Sequence, residues 1–255
     1  MSFEFVQIPC RSDNYAVLIH DPASGATAVV DTPDGAAIDA ELEKRGWRPS
    51  HILTTHHHGD HTEGHARLKA KYGLQVVAPA AEADKVPGTD VKVEEGAALS
   101  FAGQPVQVIA TPGHTKGHVA FHLPREGVVF AGDTMFALGC GRLLEDTPAA
   151  MWSSLGKLCA LPPDTLVYCG HEYTLSNARF ALTIEPGNTE LVARAKAVEE
   201  ARARGEATVP TTIGLELATS PFVRAGRPEV KQAIGMTGAM DVAVFAEIRS
   251  RKDRF

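Results

Sequence analysis

Apolar residues along this chain follow two rhythms. From Phe3 to about Tyr173, short runs rich in Val, Ile and Leu predict buried strands over Tyr15–His20, Ala26–Asp31, His51–Thr55, Gln75–Ala78, Gln107–Ala110, Val119–Leu123, Val128–Ala131 and Thr165–Cys169. Between them, residues 37–47, 61–73 and 148–161 space their apolar positions three and four apart, which predicts helices. Pro148 suits the first turn of the last of these. After Tyr173 the composition turns to Ala, Glu and Arg, and clear strand signals stop. Residues 188–206 predict a long helix with Asn188 as its N-terminal cap and Gly205 as its stop, and 228–235 and 241–253 predict two more. No internal repeat or low-complexity tract appears. The pattern is that of an α+β protein ending in a helical region.

Several of these strands end in chemistry. The stretch Ile52–Ala66 reads ILTTHHHGDHTEGHA and contains His-x-His-x-Asp-His, so His56, His58, Asp60 and His61 offer metal-capable side chains within six positions. His56 and His58 stand two apart at the end of an extended segment and are expected to face one side, with His57 facing the other and outside the ligand set. The turn at Gly59 then brings Asp60 and His61 in from a second direction. Imidazole with carboxylate suits zinc, iron or manganese, and the absence of thiolate argues against a purely structural cysteine-rich zinc site. Three later runs repeat the pattern: VQVIATPGHT ends in His114, GVVFAGDT in Asp133 and TLVYCGHE in His171. Each donor follows a glycine (Gly113, Gly132, Gly170) that lets the backbone turn sharply. Donors delivered from strand ends are held by the sheet more firmly than a mobile loop would hold them.

Taken in chain order, His-x-His-x-Asp-His, Gly-His-Thr, Gly-Asp-Thr and Gly-His-Glu resemble the metallo-β-lactamase superfamily. Within it, SDNYAVLI, THHHGDH, TPGHTKGH, FAGDTMFALGCGR, CGHEYT, PTTIGLEL with SPFVR, and IRSRKDRF are most similar to the glyoxalase II group, the hydroxyacylglutathione hydrolases. These pieces run from Ser12 to Phe255. The resemblance implies an αββα sandwich carrying a C-terminal helical domain, with residues 1–173 catalytic and 174–255 substrate-binding. It implies one metal held by His56, His58 and His114, a second by Asp60, His61 and His171, and Asp133 bridging both. It also implies substrate contacts from Arg142, Tyr173, Arg249 and Lys252, the last two as cations on the rim of the pocket. The chain departs from the family in two places. Leu144 stands where relatives usually have an aromatic residue, and Gly64-His65 where they tend to have Gly-Asn. We read His65 as a helix-surface position and His118 as a support that hydrogen-bonds to the site.

Five histidines and two carboxylates are more than one tetrahedral ion can use. Two divalent ions set against two carboxylates and a hydroxide leave about one net positive charge, enough to polarise a carbonyl and hold a nucleophile. Zinc is the first expectation, with iron and manganese also compatible. The expected reaction is hydrolysis of an S-2-hydroxyacylglutathione such as S-lactoylglutathione, with Asp60 orienting the attacking hydroxide and accepting its proton. Three alternatives stand beside it: a persulfide dioxygenase with a single iron, another hydrolase of the fold such as a secreted β-lactamase, and a non-catalytic metal-loaded scaffold. Retention of every ligand position speaks against the scaffold, and the Arg249/Lys252 pair speaks against the dioxygenase.

At 255 residues and 44% hydrophobic, the chain is long enough to bury a full core. Its formal charge of −6 weighs against a nucleic-acid-binding surface. No apolar stretch has membrane-spanning length, and the start, MSFEFVQIPCRSDNY, carries neither a basic leader nor a long apolar segment, so a cytoplasmic location is expected. Four cysteines without a C-x-x-C pair read as reduced thiols. Nothing in the pattern calls for an obligate protein partner.

Overall fold

The structure, a computed structural model, describes residues 2–255. Contacts divide the chain into two compact units. One runs up to Ala110 and takes in Lys116–Gly132; the other comprises Thr111–Thr115 and Asp133–Phe255.

The first unit opens with an antiparallel pair, β1 (Glu4–Cys10) and β2 (Asn14–His20), in register from Glu4 opposite His20 to Cys10 opposite Asn14. The alternating segment 4–10 contains Pro9, which breaks a strand signal in sequence. It is tolerated because β1 lies at the sheet edge, where one side of the strand has no neighbour to bond. The sheet continues antiparallel into β3 (Thr27–Val30) and then parallel. Helix α1 (Gly35–Arg45) leads to β4 (Pro49–Leu53), and the short α2 (Gly59–Thr62) with α3 (His65–Tyr72) leads to β5 (Gln75–Pro79) and β6 (Val91–Val93). Parallel strands covered by helices read as unbroken apolar runs, which is why TAVV and QVVAP were legible. Ile8, Leu18, Val29, Ile38, Leu42, Ile52, Leu68 and Val76 form the core of this sheet and its helices. A second, antiparallel set follows: β7 (Leu99–Phe101), β8 (Gln104–Ala110), β9 (Val119–Leu123) and β10 (Val128–Gly132).

The expected helix over 61–73 is two helices, broken at Glu63 and Gly64. This break corrects the reading of His65, which is fully buried at the start of α3 rather than on its surface. Its Nδ1 lies 2.6 Å from Thr32 Oγ1 and its Nε2 2.8 Å from Thr54 Oγ1. Two hydroxyls satisfy both ring nitrogens, so the imidazole can be buried, and burial lowers its pKa to about 4.

The second unit contains the hairpin β11 (Met135–Phe136) and β12 (Gly139–Cys140), then α4 (Pro148–Cys159) and β13 (Leu166–Cys169). It continues with α5 (Thr174–Ile184), α6 (Thr189–Ala203), the two-residue strand β14 (Thr211–Thr212) paired with β13, α7 (Ile213–Thr219), α8 (Pro228–Ala233) and α9 (Asp241–Asp253). Pro148 opens α4 and Asn188 caps α6 by accepting from the N–H of Leu191, as the sequence led us to expect, and Thr147 adds a cap to α4 that accepts from the N–H of Ala150. Helix α5 was not legible, because Thr, Ser and Asn in TLSNARFALTI are weak helix formers. Packing decides it: Ala178, Ala181, Leu191, Ala195 and Val198 share one cluster between α5 and α6. Among the described residues, no helix is long and apolar enough to cross a membrane, and the four cysteines are free.

Candidate metal centre

In the first unit the donors gather where β3 and β4 end. Asp31, just past β3, takes a left-handed backbone conformation (φ 52°) that turns its buried carboxylate toward the chain leaving β4. Asp31 Oδ1 accepts from the backbone N–H of Thr55, and Oδ2 accepts from Thr55 Oγ1 and His61 Nδ1, each at 2.8 Å. The single hydroxyl proton of Thr55 is thereby committed to Asp31, so Thr55 Oγ1 accepts from His56 Nδ1 at 3.0 Å. Both imidazoles are thus held in the tautomer that leaves Nε2 with its lone pair, an assignment inferred from the hydrogen-bond network. His56 Nε2 lies 3.1 Å from His58 Nδ1, and the rings of His56 and His61 are 4.2 Å apart. Asp60 Oδ2 stands 3.8 Å from His61 Nε2 and accepts from Asn14 Nδ2 at 3.2 Å. The four residues of the His-x-His-x-Asp-His motif therefore do converge, with His56 and His61 buried and His58 and Asp60 partly open.

His57 has a different neighbour: its Nδ1 lies 2.9 Å from Glu82 Oε2. His118 is fully buried and stacks on His56 at 4.9 Å. Gly132 has φ 48°, and a Cβ there would come within 2.6 Å of both His118 Nε2 and Thr55 Oγ1; only glycine lets β10 end against the site.

In the second unit, His114, Asp133 and His171 meet although they come from three separate segments, all buried. His114 Nε2 and His171 Nε2 approach the same oxygen, Asp133 Oδ2, at 3.5 and 3.4 Å. These distances are long for hydrogen bonds, and all three side chains are of metal-ligating type. The other nitrogen of His114 lies 2.8 Å from the carbonyl oxygen of Arg142 and must donate to it, which again leaves the Nε2 lone pair for a ligand. Two buried bonds fix the His114 loop: Ser154 Oγ donates to Pro112 O at 2.6 Å, and Thr134 Oγ1 donates to Thr111 O at 3.2 Å. The donor chemistry in both units fits a divalent metal: nitrogen and carboxylate ligands, tautomers set from outside, and no thiolate.

Of the residues expected to meet substrate, Arg142 is exposed and Tyr173 is 38% exposed, its ring stacked on His171 at 4.7 Å. Lys252 is half-buried; its Nζ donates to Ser176 Oγ at 2.8 Å and lies over the rings of Phe180 and Phe255. Burial, with Arg249 and Arg142 nearby, lowers its pKa to about 8. Arg249 departs from the expected rim position: it is only 5% exposed, donates to Cys140 O, and packs over Phe222. Leu144 is 60% exposed.

Sequence reasoning missed Asp31, Thr55, Asn14 and Glu82. A signal for Asp31 existed, since it ends an apolar run just as Asp133 does. Asn14 and Thr55 lie inside the segments SDNYAVLI and THHHGDH, but nothing local names their partners, and Glu82 carries no local mark.

Residues 11–171 match the model of the metallo-beta-lactamase superfamily, and residues 172–255 match that of the hydroxyacylglutathione hydrolase C-terminus. A protein of Rhizobium meliloti (strain 1021) named hydroxyacylglutathione hydrolase is 56% identical over 96% of both chains. One of the same name from Mesorhizobium japonicum is 54% identical over the full length of both. Among solved structures, ETHE1 from Myxococcus xanthus superposes with a TM-score of 0.67 at 24% identity, covering 99% of this chain and 98% of that one, a likeness of fold alone. With its His and Asp clusters the fold provides for metal binding. The chain belongs to the hydroxyacylglutathione hydrolase family, with the metallo-β-lactamase fold and a C-terminal helical domain.

Proposed function

We propose that this enzyme hydrolyses S-2-hydroxyacylglutathione thioesters, S-lactoylglutathione among them, to glutathione and a 2-hydroxy acid. The observation that carries the reading is the outer hydrogen-bond shell, in which Asp31, Thr55 and the Arg142 carbonyl commit the Nδ1 atoms of His61, His56 and His114, leaving three Nε2 lone pairs for metal. In this reading residues 1–173 form the catalytic part and 174–255 the substrate-binding part. His56, His58 and His114 would hold one divalent ion and Asp60, His61 and His171 a second, and Asp133 would serve as a ligand alongside them. Zinc suits the nitrogen-oxygen set, as do iron and manganese. Such ions, when bound, act as Lewis acids that lower the pKa of water and polarise the thioester carbonyl.

The chain's own residues do the rest. Asp60, steadied by Asn14, orients the attacking water and takes its proton on a carboxylate oxygen. A thiolate leaves readily, so no strong general acid is needed. Arg142, Tyr173 and Lys252 meet the carboxylate-bearing glutathione, and Arg249 lends charge while holding the loop that carries Arg142. A cytoplasmic location for the enzyme, expected from the sequence, suits a small polar substrate of this kind. Purified enzyme assayed on S-lactoylglutathione, with and without a chelator, tests the reading: chelator-sensitive release of glutathione supports it, and no release in metal-replete enzyme refutes it.

A further inference from the structure

The buried carboxylate of Glu82 lies outside every motif, yet it joins two loops of the first unit. Glu82 closes a 3-10 turn (Ala80–Glu82) directly after β5, and its side chain is only 3% exposed. Its Oε1 accepts from the backbone N–H of Gly117 at 2.7 Å, and its Oε2 from the backbone N–H of His57 at 2.9 Å. The same Oε2 stands 2.9 Å from His57 Nδ1. Close packing accompanies these bonds: a Cβ on Gly117 would come within 2.6 Å of Glu82 Cγ. A neighbouring backbone bond, from Val119 N to Thr55 O at 3.0 Å, ties the same two loops together. An ionised carboxylate is buried at little net cost only when donors surround it, and here the donors are the two loops themselves.

We propose that Glu82 is a positioning residue that decides which of the three consecutive histidines, His56, His57 and His58, serve as ligands. By fixing the His57 amide and drawing the His57 imidazole to itself, it turns the middle side chain away. The side chains on either side then face the same way, and their nitrogens come within 3.1 Å of one another. His118, one residue after the clamped Gly117, is thereby set against the face of His56. Period-two alternation accounts for this only in an extended strand, and β4 has already ended at Leu53; a tertiary clamp must hold the pattern beyond it.

The proposal rests on His56 and His58 being metal ligands, and the experiment separates the two claims. Apo enzyme is titrated with Co²⁺ and its visible spectrum recorded for wild type, Glu82→Gln and Glu82→Asp. In Glu82→Gln one acceptor oxygen becomes an NH₂ donor facing a backbone N–H, so the clamp opens without loss of volume. The expected result is Co²⁺ affinity lowered tenfold or more with a changed ligand-field spectrum, on the scale of outer-shell substitutions at metal sites. Glu82→Asp, which keeps both acceptor oxygens, should recover part of the affinity. Wild-type affinity and spectrum in a folded Glu82→Gln protein would overturn the role of Glu82. Failure of wild type to bind Co²⁺ would instead overturn the metal-centre reading. If both variants unfold, amide exchange in the wild-type protein decides: the His57 and Gly117 amides should be strongly protected, and exchange at the rate of open loops would refute the clamp.

Discussion

Arg249 donates from Nη1 to the carbonyl oxygen of Cys140 at 2.8 Å, across 109 positions of sequence. Its Nη2 meets Asp253 Oδ1 at 2.9 Å, one helical turn further along α9. The loop that receives this bond is held from two other helices: Asn177 on α5 donates to Ala137 O, and Glu216 on α7 accepts from Leu138 N. Arg249 thus anchors the stretch 137–142, at whose end Arg142 projects. Replacing Arg249 with Ala leaves a buried carbonyl without its charged donor. Urea denaturation should show a loss on the order of 2–3 kcal/mol, typical of a buried bond to a charged group. A change below about 0.5 kcal/mol would show that α9 does not depend on this contact.

Lys252 should behave differently. Its ammonium is half-buried over two aromatic rings, and its pKa is lowered to about 8. The charge is present below that pH and lost above it. KM for a glutathione thioester should therefore rise as pH passes 8, while kcat follows its own profile. In Lys252→Ala, KM should be roughly tenfold higher at pH 7, equivalent to about 1.4 kcal/mol, and the alkaline rise should vanish. A KM that is flat with pH in wild type would remove Lys252 from substrate binding.

His65 ties stability to pH. Its folded pKa of about 4 lies below the ordinary 6.5, so the unfolded chain binds the extra proton first as pH falls. Stability is thus fully present above about pH 6.5 and declines toward pH 4. The loss contributed by His65 approaches the order of 3 kcal/mol at the acid end, at 1.36 kcal/mol per pH unit. In chelated protein, His65→Asn should be less stable than wild type at pH 7 but lose less between pH 7 and 4.5. Parallel pH curves for the two proteins would exclude this origin.

The histidine cluster offers a sharper contrast. His58→Ala removes a nitrogen 3.1 Å from His56 Nε2, whereas His57→Ala removes a ring engaged by Glu82. Metal analysis should find His57→Ala close to wild type and His58→Ala sharply depleted. Equal depletion would contradict the alternation of these side chains.

For Asp133→Ala, metal and activity should fall together. His114 Nε2 and His171 Nε2 both approach Asp133 Oδ2, so on the proposed reading its loss removes a ligand and an offsetting negative charge at once. We expect nearly two metal ions per chain in wild type. Full activity in the variant would rule out a shared carboxylate.

What the sequence determined by itself was the chemistry and the elements that deliver it. Donor type and spacing are local properties: His-x-His-x-Asp-His after an apolar run, and His114, Asp133 and His171 each behind a strand and a glycine, need no distant partner to be recognised. The same holds for the apolar runs that became β2 to β5 and β8 to β10, and for the capped helices α4 and α6. Tertiary structure alone decided the outer shell. His65 is buried because Thr32 and Thr54, 33 and 11 positions away, supply hydroxyls to its ring. Arg249 is buried because Cys140 offers a carbonyl and Phe222 a ring. Asp31 reaches Thr55 and His61 only because β3 and β4 lie side by side in parallel register. A polar group's burial depends on who satisfies it, and partners brought together by folding leave no periodicity behind. Edge strand β1 and helix α5 were settled in the same way, by sheet position and by packing against α6, against a local signal that was absent or contrary.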